Sequence, residues 1–185
     1  MVKNMPKNRF VILQASEEVS SNRIRFAGNS RDELLNAKLA IELAKKFDNN
    51  PNLLSEGQLE LLEKYLLGEL KKINCKKPQE GFEFVYQNVL HFYLRLKYYE
   101  KVIDEYKNLQ RLINEQNLDV SLDCAILSTI AYIKINRIDI ARRIYNYILD
   151  FSKKQGIEDK KATEMLFEEL FKEHNICAKI LIGQN

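Results

Sequence analysis

Glycine and proline are scarce in this chain, with six Gly and three Pro among 185 residues. Sandwiches and barrels of short strands need those residues at their turns. The scarcity excludes an all-β architecture and leaves long uninterrupted segments suited to helices. Cysteine is scarce as well. Cys75, Cys124 and Cys177 lie far apart with no CxxC pair, and the chain has only two histidines. That pattern excludes a disulfide framework and a zinc site, and it points to a reducing compartment, the cytoplasm or an organelle lumen.

No apolar run approaches the roughly 20 residues of a membrane-spanning helix. The early "FVILQA" is too short for the core of a secretory signal. An Arg- and Ser-containing start is compatible with an organellar presequence, but the acidic "SEE" at 16–18 speaks against one. No membrane partner is expected. Recognisable chemistry is missing too, since there is no Gly-rich phosphate loop, nucleophile elbow or paired-His motif. His174 and Cys177 stand one helical turn apart but lack two further ligands. His91 sits in an apolar segment and reads as a core or groove residue. Glu168, Glu169 and Glu173 read as a solvated acidic face. The sequence therefore predicts no enzyme, no cofactor and no metal.

Charge of one sign is also lacking: 29 basic residues against 26 acidic leave +3. The imbalance is local. Residues 1–31 hold Lys3, Lys7, Arg9, Arg23, Arg25 and Arg31 against Glu17 and Glu18. The remainder is nearly neutral, which is not the footprint of a nucleic-acid binder, although Lys3, Lys7, Arg9, Arg23 and Arg25 could touch phosphates or an acidic partner.

What is present is helical periodicity. At 45% hydrophobic and 10% aromatic, the chain can bury a core as one domain. Residues 1–29 show no helical period and read as a basic, irregular or extended N-terminal arm. Ser30 and Glu33 form a capping box, and Leu34, Leu35, Ala37, Leu39, Ala40, Leu43 and Ala44 then predict a helix over about 31–48. "DNNPN" ends it. A second capping box, Ser55 to Gln58, opens a helix that closes on Lys71 and Lys72, completing an N-terminal helix pair over 30–73. "NCKKPQEG" is the clearest break. Five further helical segments follow it over 80–185, joined by short polar turns that suggest antiparallel neighbours.

Within that second region the chain repeats. Offset by 39 residues, "FYLRLKYYEKVIDEYKNL" (92–109) lies on "AYIKINRIDIARRIYNYI" (131–148), bringing Tyr93 onto Tyr132, Leu96 onto Ile135 and Tyr106 onto Tyr145. A further step reaches a degraded copy at 170–181, with Phe171 for the tyrosine and Asn175 on Asn136. A fixed period of this size signals stacked supersecondary units. In "YIKINRIDIARRIYNYIL" (132–149), Tyr, Ile and Ala are expected to face the interior, and Lys134, Arg137, Arg142 and Arg143 the solvent.

Over 83–150 the unit resembles a tetratricopeptide repeat. The positions that carry the resemblance are Tyr132, Asn136, Ile138, Ala141 and Tyr145, and in the earlier copy Tyr93, Lys97, Tyr99, Val102 and Tyr106. It departs from the family in Leu90 and Thr129, where a small residue is usual, in lacking a closing proline, and in exceeding the usual 34 residues. The resemblance implies antiparallel helix pairs stacked as a short right-handed α-solenoid, one all-α domain over 30–185. It also implies a concave surface lined by the first helix of each pair: Phe84, Gln87, His91, Leu94 and Arg95, then Asp123, Ile126, Ile130, Ile133 and Lys134. Of the polar set that clamps a C-terminal carboxylate, only Arg95 and Lys134 are present, so an apolar groove for an amphipathic partner helix is expected instead. The other readings of that face are a groove filled by the chain's own N-terminal arm, or plain core.

The function these readings favour is a non-enzymatic protein-interaction scaffold or adaptor subunit of a larger complex. Two alternatives remain. One is an RNA-binding module resembling pentatricopeptide repeats, with Lys153, Lys154, Lys160 and Lys161 following a backbone. The other is a peptide-responsive regulatory sensor. The incomplete last repeat suggests that another subunit, or a second copy in a homo-oligomer, covers the C-terminal edge.

Overall fold

The computed structural model describes residues 31–74, 82–116, 118, 122–177 and 179–182, and they are all-α: no strand occurs among them. The basic arm, Ser30 and most of the "NCKKPQEG" break lie outside the described residues. The chain divides into two compact units, Met1–Val89 and Leu90–Asn185.

In the first unit, α1 (Arg31–Asn49) turns through a single 3-10 turn (Pro51–Leu53) into α2 (Glu56–Asn74). The break follows from local chemistry. Asn50 caps the turn with its side-chain oxygen, accepting from the Asn52 N–H at 3.0 Å, and Pro51 sits where its missing N–H costs nothing. The expected second capping box is present in both directions: the Ser55 N–H donates to Gln58 Oε1 at 3.0 Å, and the Gln58 N–H to Ser55 Oγ at 3.4 Å. On α1, Ala40, Leu43, Ala44 and Phe47 recur at helical spacing and are buried, as are Leu62, Leu66 and Leu70 on α2, and the two helices pack on each other.

Helix α3 (Phe82–Arg95) runs across the division between the units. The second unit continues with α4 (Tyr99–Gln116), α5 (Leu122–Lys134), α6 (Ile138–Gln155), α7 (Ile157–Glu173) and the short α8 (Lys179–Ile182). Helix α5 is its centre. Every residue from Cys124 to Tyr132 is buried, and the helix touches α4, α6 and α7. The buried hydroxyls of Ser128 and Thr129 are satisfied within the helix, Ser128 Oγ and Thr129 Oγ1 both donating to the Ala125 carbonyl at 2.8 and 2.9 Å. Helix α6 touches α5, α7 and α8. Ala141 is fully buried on it, as Val102 is at the matching position of α4. Between α6 and α7 the buried hydroxyls of Ser152 and Thr163 pair at 2.9 Å, and Tyr145 meets Phe167 edge-on at 4.7 Å between ring centroids.

The 39-residue period is written into the backbone. Lys97, Asn136 and Asn175 all adopt positive φ, at 63°, 61° and 53°. Around each, the same two hydrogen bonds close the preceding helix: Lys97 N–H to Leu94 O and Tyr98 N–H to Tyr93 O, Asn136 to Ile133 and Arg137 to Tyr132, Asn175 to Lys172 and Ile176 to Phe171. This is the Schellman closure, and it requires one left-handed residue per turn. The third copy, weak in sequence, is therefore intact in its turn geometry. Tyr93, Tyr132 and Phe171, the matching aromatics, are all buried.

Candidate functional site

The residues expected to line a first-helix groove are placed unequally. Leu94, Ile126 and Ile130 are 1%, 0% and 0% exposed, and His91 is buried as well. Their surface is already spent on the fold. Phe84, in the first unit, is 41% exposed, while Gln87, Arg95, Asp123 and Ile133 are half-buried. Lys134 is exposed, but its Nζ donates to the main-chain carbonyl of His174 at 2.7 Å, at the C-terminal end of α7.

Two more of the expected solvent-facing cations, Arg142 and Arg143, are also engaged. Arg142 reaches across to α8, its Nε donating to the Leu181 carbonyl at 2.9 Å and its Nη2 to the Ile180 carbonyl at 3.4 Å. It thus caps carbonyls at a helix C-terminus, where a cation is electrostatically favoured. Arg143 is 76% exposed at its side chain and pairs with Asp139 at 3.6 Å, and Asp139 also takes Arg137 at 3.6 Å. One carboxylate serves two guanidinium groups, leaving a local excess of one positive charge.

Arg143 lies on the rim of a cleft in the second unit with a volume of about 500 Å³. One wall is α4, with Tyr106, Gln110, Ile113 and Asn114; the other is α6, with Ile140, Arg143, Ile144 and Tyr147; Tyr132 at the end of α5 also lines it. Each wall is a single helical stripe, running i, i+4, i+7, i+8 on α4 and i, i+3, i+4, i+7 on α6. Tyr106 and Tyr132 are buried, whereas Gln110, Asn114, Arg143 and Tyr147 are exposed, so the cleft is an open trough with an aromatic floor. Burial pushes the Tyr106 hydroxyl up to about 12, with Cys124 adding to the shift and the Ser128 side chain opposing it.

Sequence reasoning did not find this trough. It put the recognition face on the first helix of each pair, and it put every tyrosine of "YIKINRIDIARRIYNYIL" in the interior. Tyr147 corrects that expectation at 53% exposed, stacked on Phe151 at 6.4 Å between centroids. The one available signal was the surplus of apolar residues on α6, where Ile140, Ile144 and Tyr147 widen the stripe beyond what Ala141 and Ile148 need for packing.

Other candidate chemistry stays apart. No group of three or more His, Cys, Asp or Glu side chains that could hold a metal occurs among the described residues. Cys124 is buried and Cys177 is exposed, and neither forms a disulfide among the described residues. No helix among the described residues is long and apolar enough to cross a membrane. Lys3, Lys7, Arg9, Arg23 and Arg25 lie outside the described residues. Lys153, Lys154 and Lys161 are exposed, and Lys160 pairs with Glu164 at 3.3 Å. Compared with protein-family models, with curated proteins and with solved structures, the chain matches none.

Proposed function

We propose that this protein is a non-enzymatic interaction module, an adaptor or scaffold subunit, that docks a segment of a partner protein in the trough between α4 and α6. A short α-solenoid of tetratricopeptide-like pairs is the architecture we infer for the second unit. The thirty-nine-residue recurrence of the turn supports it. So do the contacts of α5 with α7 and of α6 with α8, two elements along the chain. Cys124 and Cys177, which form no disulfide among the described residues, fit a reducing compartment.

One observation carries the docking reading. Helix α6 packs on α8, the element two along, but α4 and α6 make no comparable contact and leave about 500 Å³ between their facing stripes. Apolar and aromatic walls with a few polar groups on the rim are what a partner's anchoring side chains require.

The test is a pull-down of the tagged full-length protein from its source lysate, with and without RNase, comparing wild type with Tyr147→Lys and Phe84→Lys. A stoichiometric protein partner that survives RNase, is lost with Tyr147→Lys and is kept with Phe84→Lys supports the reading. Loss only with Phe84→Lys returns the site to the first-helix face. Partners that vanish with RNase, leaving bound RNA in the untreated sample, favour the nucleic-acid reading.

A further inference from the structure

We infer that the occupant of the α4–α6 trough is an acidic amphipathic helix, whose apolar anchors enter between the two walls and whose carboxylate meets Arg143. The inference rests on the docking reading above and adds the chemistry of the partner.

The walls set the shape. Tyr106, Gln110, Ile113 and Asn114 on α4 face Ile140, Arg143, Ile144 and Tyr147 on α6. Two helical stripes lining one trough form a groove into which the ridge of a third helix fits, with anchors three or four residues apart. Openness argues for a helix over a small ligand. Pockets for small molecules bury most of the ligand surface, whereas here Gln110, Asn114, Arg143 and Tyr147 stand exposed along the rim. A helix laid along the trough covers all four.

Charge sets the sign. Among the described residues lining the trough, Arg143 is the one that carries a charge. Its Asp139 partner, shared with Arg137, leaves the group with a net positive charge. Exposed pairs at such distances contribute little, so nothing is lost by re-pairing. Covering Arg143 with an apolar or basic segment would strip water from an incompletely neutralised guanidinium, which is costly. A carboxylate on the incoming helix removes that cost and can bond the guanidinium in bidentate fashion. Gln110 and Asn114 across the trough supply uncharged donors and acceptors for the rest of the polar edge.

The experiment places the photo-crosslinking amino acid p-benzoylphenylalanine at position 147 of the full chain. The protein is irradiated in its source lysate and the cross-linked peptide is sequenced by mass spectrometry. The expected product is one partner segment with apolar residues at helical spacing and an Asp or Glu within one turn of the attachment point. Its yield should fall at least tenfold with Arg143→Glu and be partly retained with Arg143→Lys. Arg143 is exposed, so these variants keep the fold, which far-UV circular dichroism verifies. A cross-linked segment that lacks an acid, or whose yield ignores Arg143→Glu, overturns the acidic-helix inference and leaves the docking reading standing. Absence of any protein cross-linked at position 147 overturns both.

Discussion

Asn136 holds φ at 61°, and Lys97, thirty-nine residues earlier, holds it at 63°. The two residues close α3 and α5 with the same pair of backbone hydrogen bonds. They differ in what the left-handed conformation costs them, since Asn tolerates it through its short polar side chain and Lys does not.

Lys97→Gly should therefore stabilise the protein by about 0.5–1 kcal/mol, Asn136→Gly by a few tenths at most, and Lys97→Val should destabilise it by about 1 kcal/mol or more. Urea unfolding of the three variants checks the order. Destabilisation by Lys97→Gly would mean that the Lys97 side chain makes a stronger contact than its exposure suggests.

The cationic tethers predict a local effect. Arg142→Ala removes the donors to the Leu181 and Ile180 carbonyls, and Lys134→Ala removes the donor to His174. Each loss is on the order of 1 kcal/mol at these partly exposed sites. Hydrogen exchange should quicken at 179–182 in the first variant and around 174–176 in the second, with α5 protected in both. Uniform loss of protection would show that the tethers hold the whole unit.

Ile130 separates folding from recognition. It is fully buried, so Ile130→Asp places an unpaired charge in the core and should abolish cooperative unfolding and most helicity, while Ile130→Ala costs about 2–5 kcal/mol. Tyr147→Lys, at an exposed site, should leave thermal stability within about 0.5 kcal/mol of wild type. Retained helicity in Ile130→Asp would restore that residue as a surface anchor.

Alkali should weaken the fold through Tyr106. Its hydroxyl titrates near 10 in an unfolded chain and is pushed up to about 12 in the folded one. The folded state thus holds the proton more tightly. Its contribution is complete below pH 10, falls as pH rises from 10 to 12, and is worth on the order of 2–3 kcal/mol. Tyr65, also pushed up to about 12 by burial and by Glu69, acts in the same direction. Urea midpoints at pH 9.5 and 11 should differ less in Tyr106→Phe than in wild type. An equal difference in both proteins would assign the alkaline loss to other groups.

Ser55, Gln58 and Pro51 show how much of the fold is legible in the chain. The interactions that start a helix or break one span three residues, so the capping box and the proline turn appear in the sequence as they do in space. The repeat was legible for the same reason, because a turn closed by residues five apart leaves a local signature at Tyr93, Tyr132 and Phe171. The candidate site was less so. A helical stripe says that Leu94, Ile126, Ile130 and Tyr147 are apolar and on which side of a helix each lies, but not which neighbour covers that side.

From the sequence alone came the all-α class, the helix starts and breaks, and the 39-residue period, all set by contacts within one or two turns of the backbone. Only the tertiary structure decided that Ile130 is core and Tyr147 surface, that Lys134 and Arg142 bind carbonyls about forty residues away, and that α4 and α6 stand apart around a trough. Those outcomes depend on how far apart two packed helices come to rest, a distance fixed jointly by side chains from several elements and written in no single one of them.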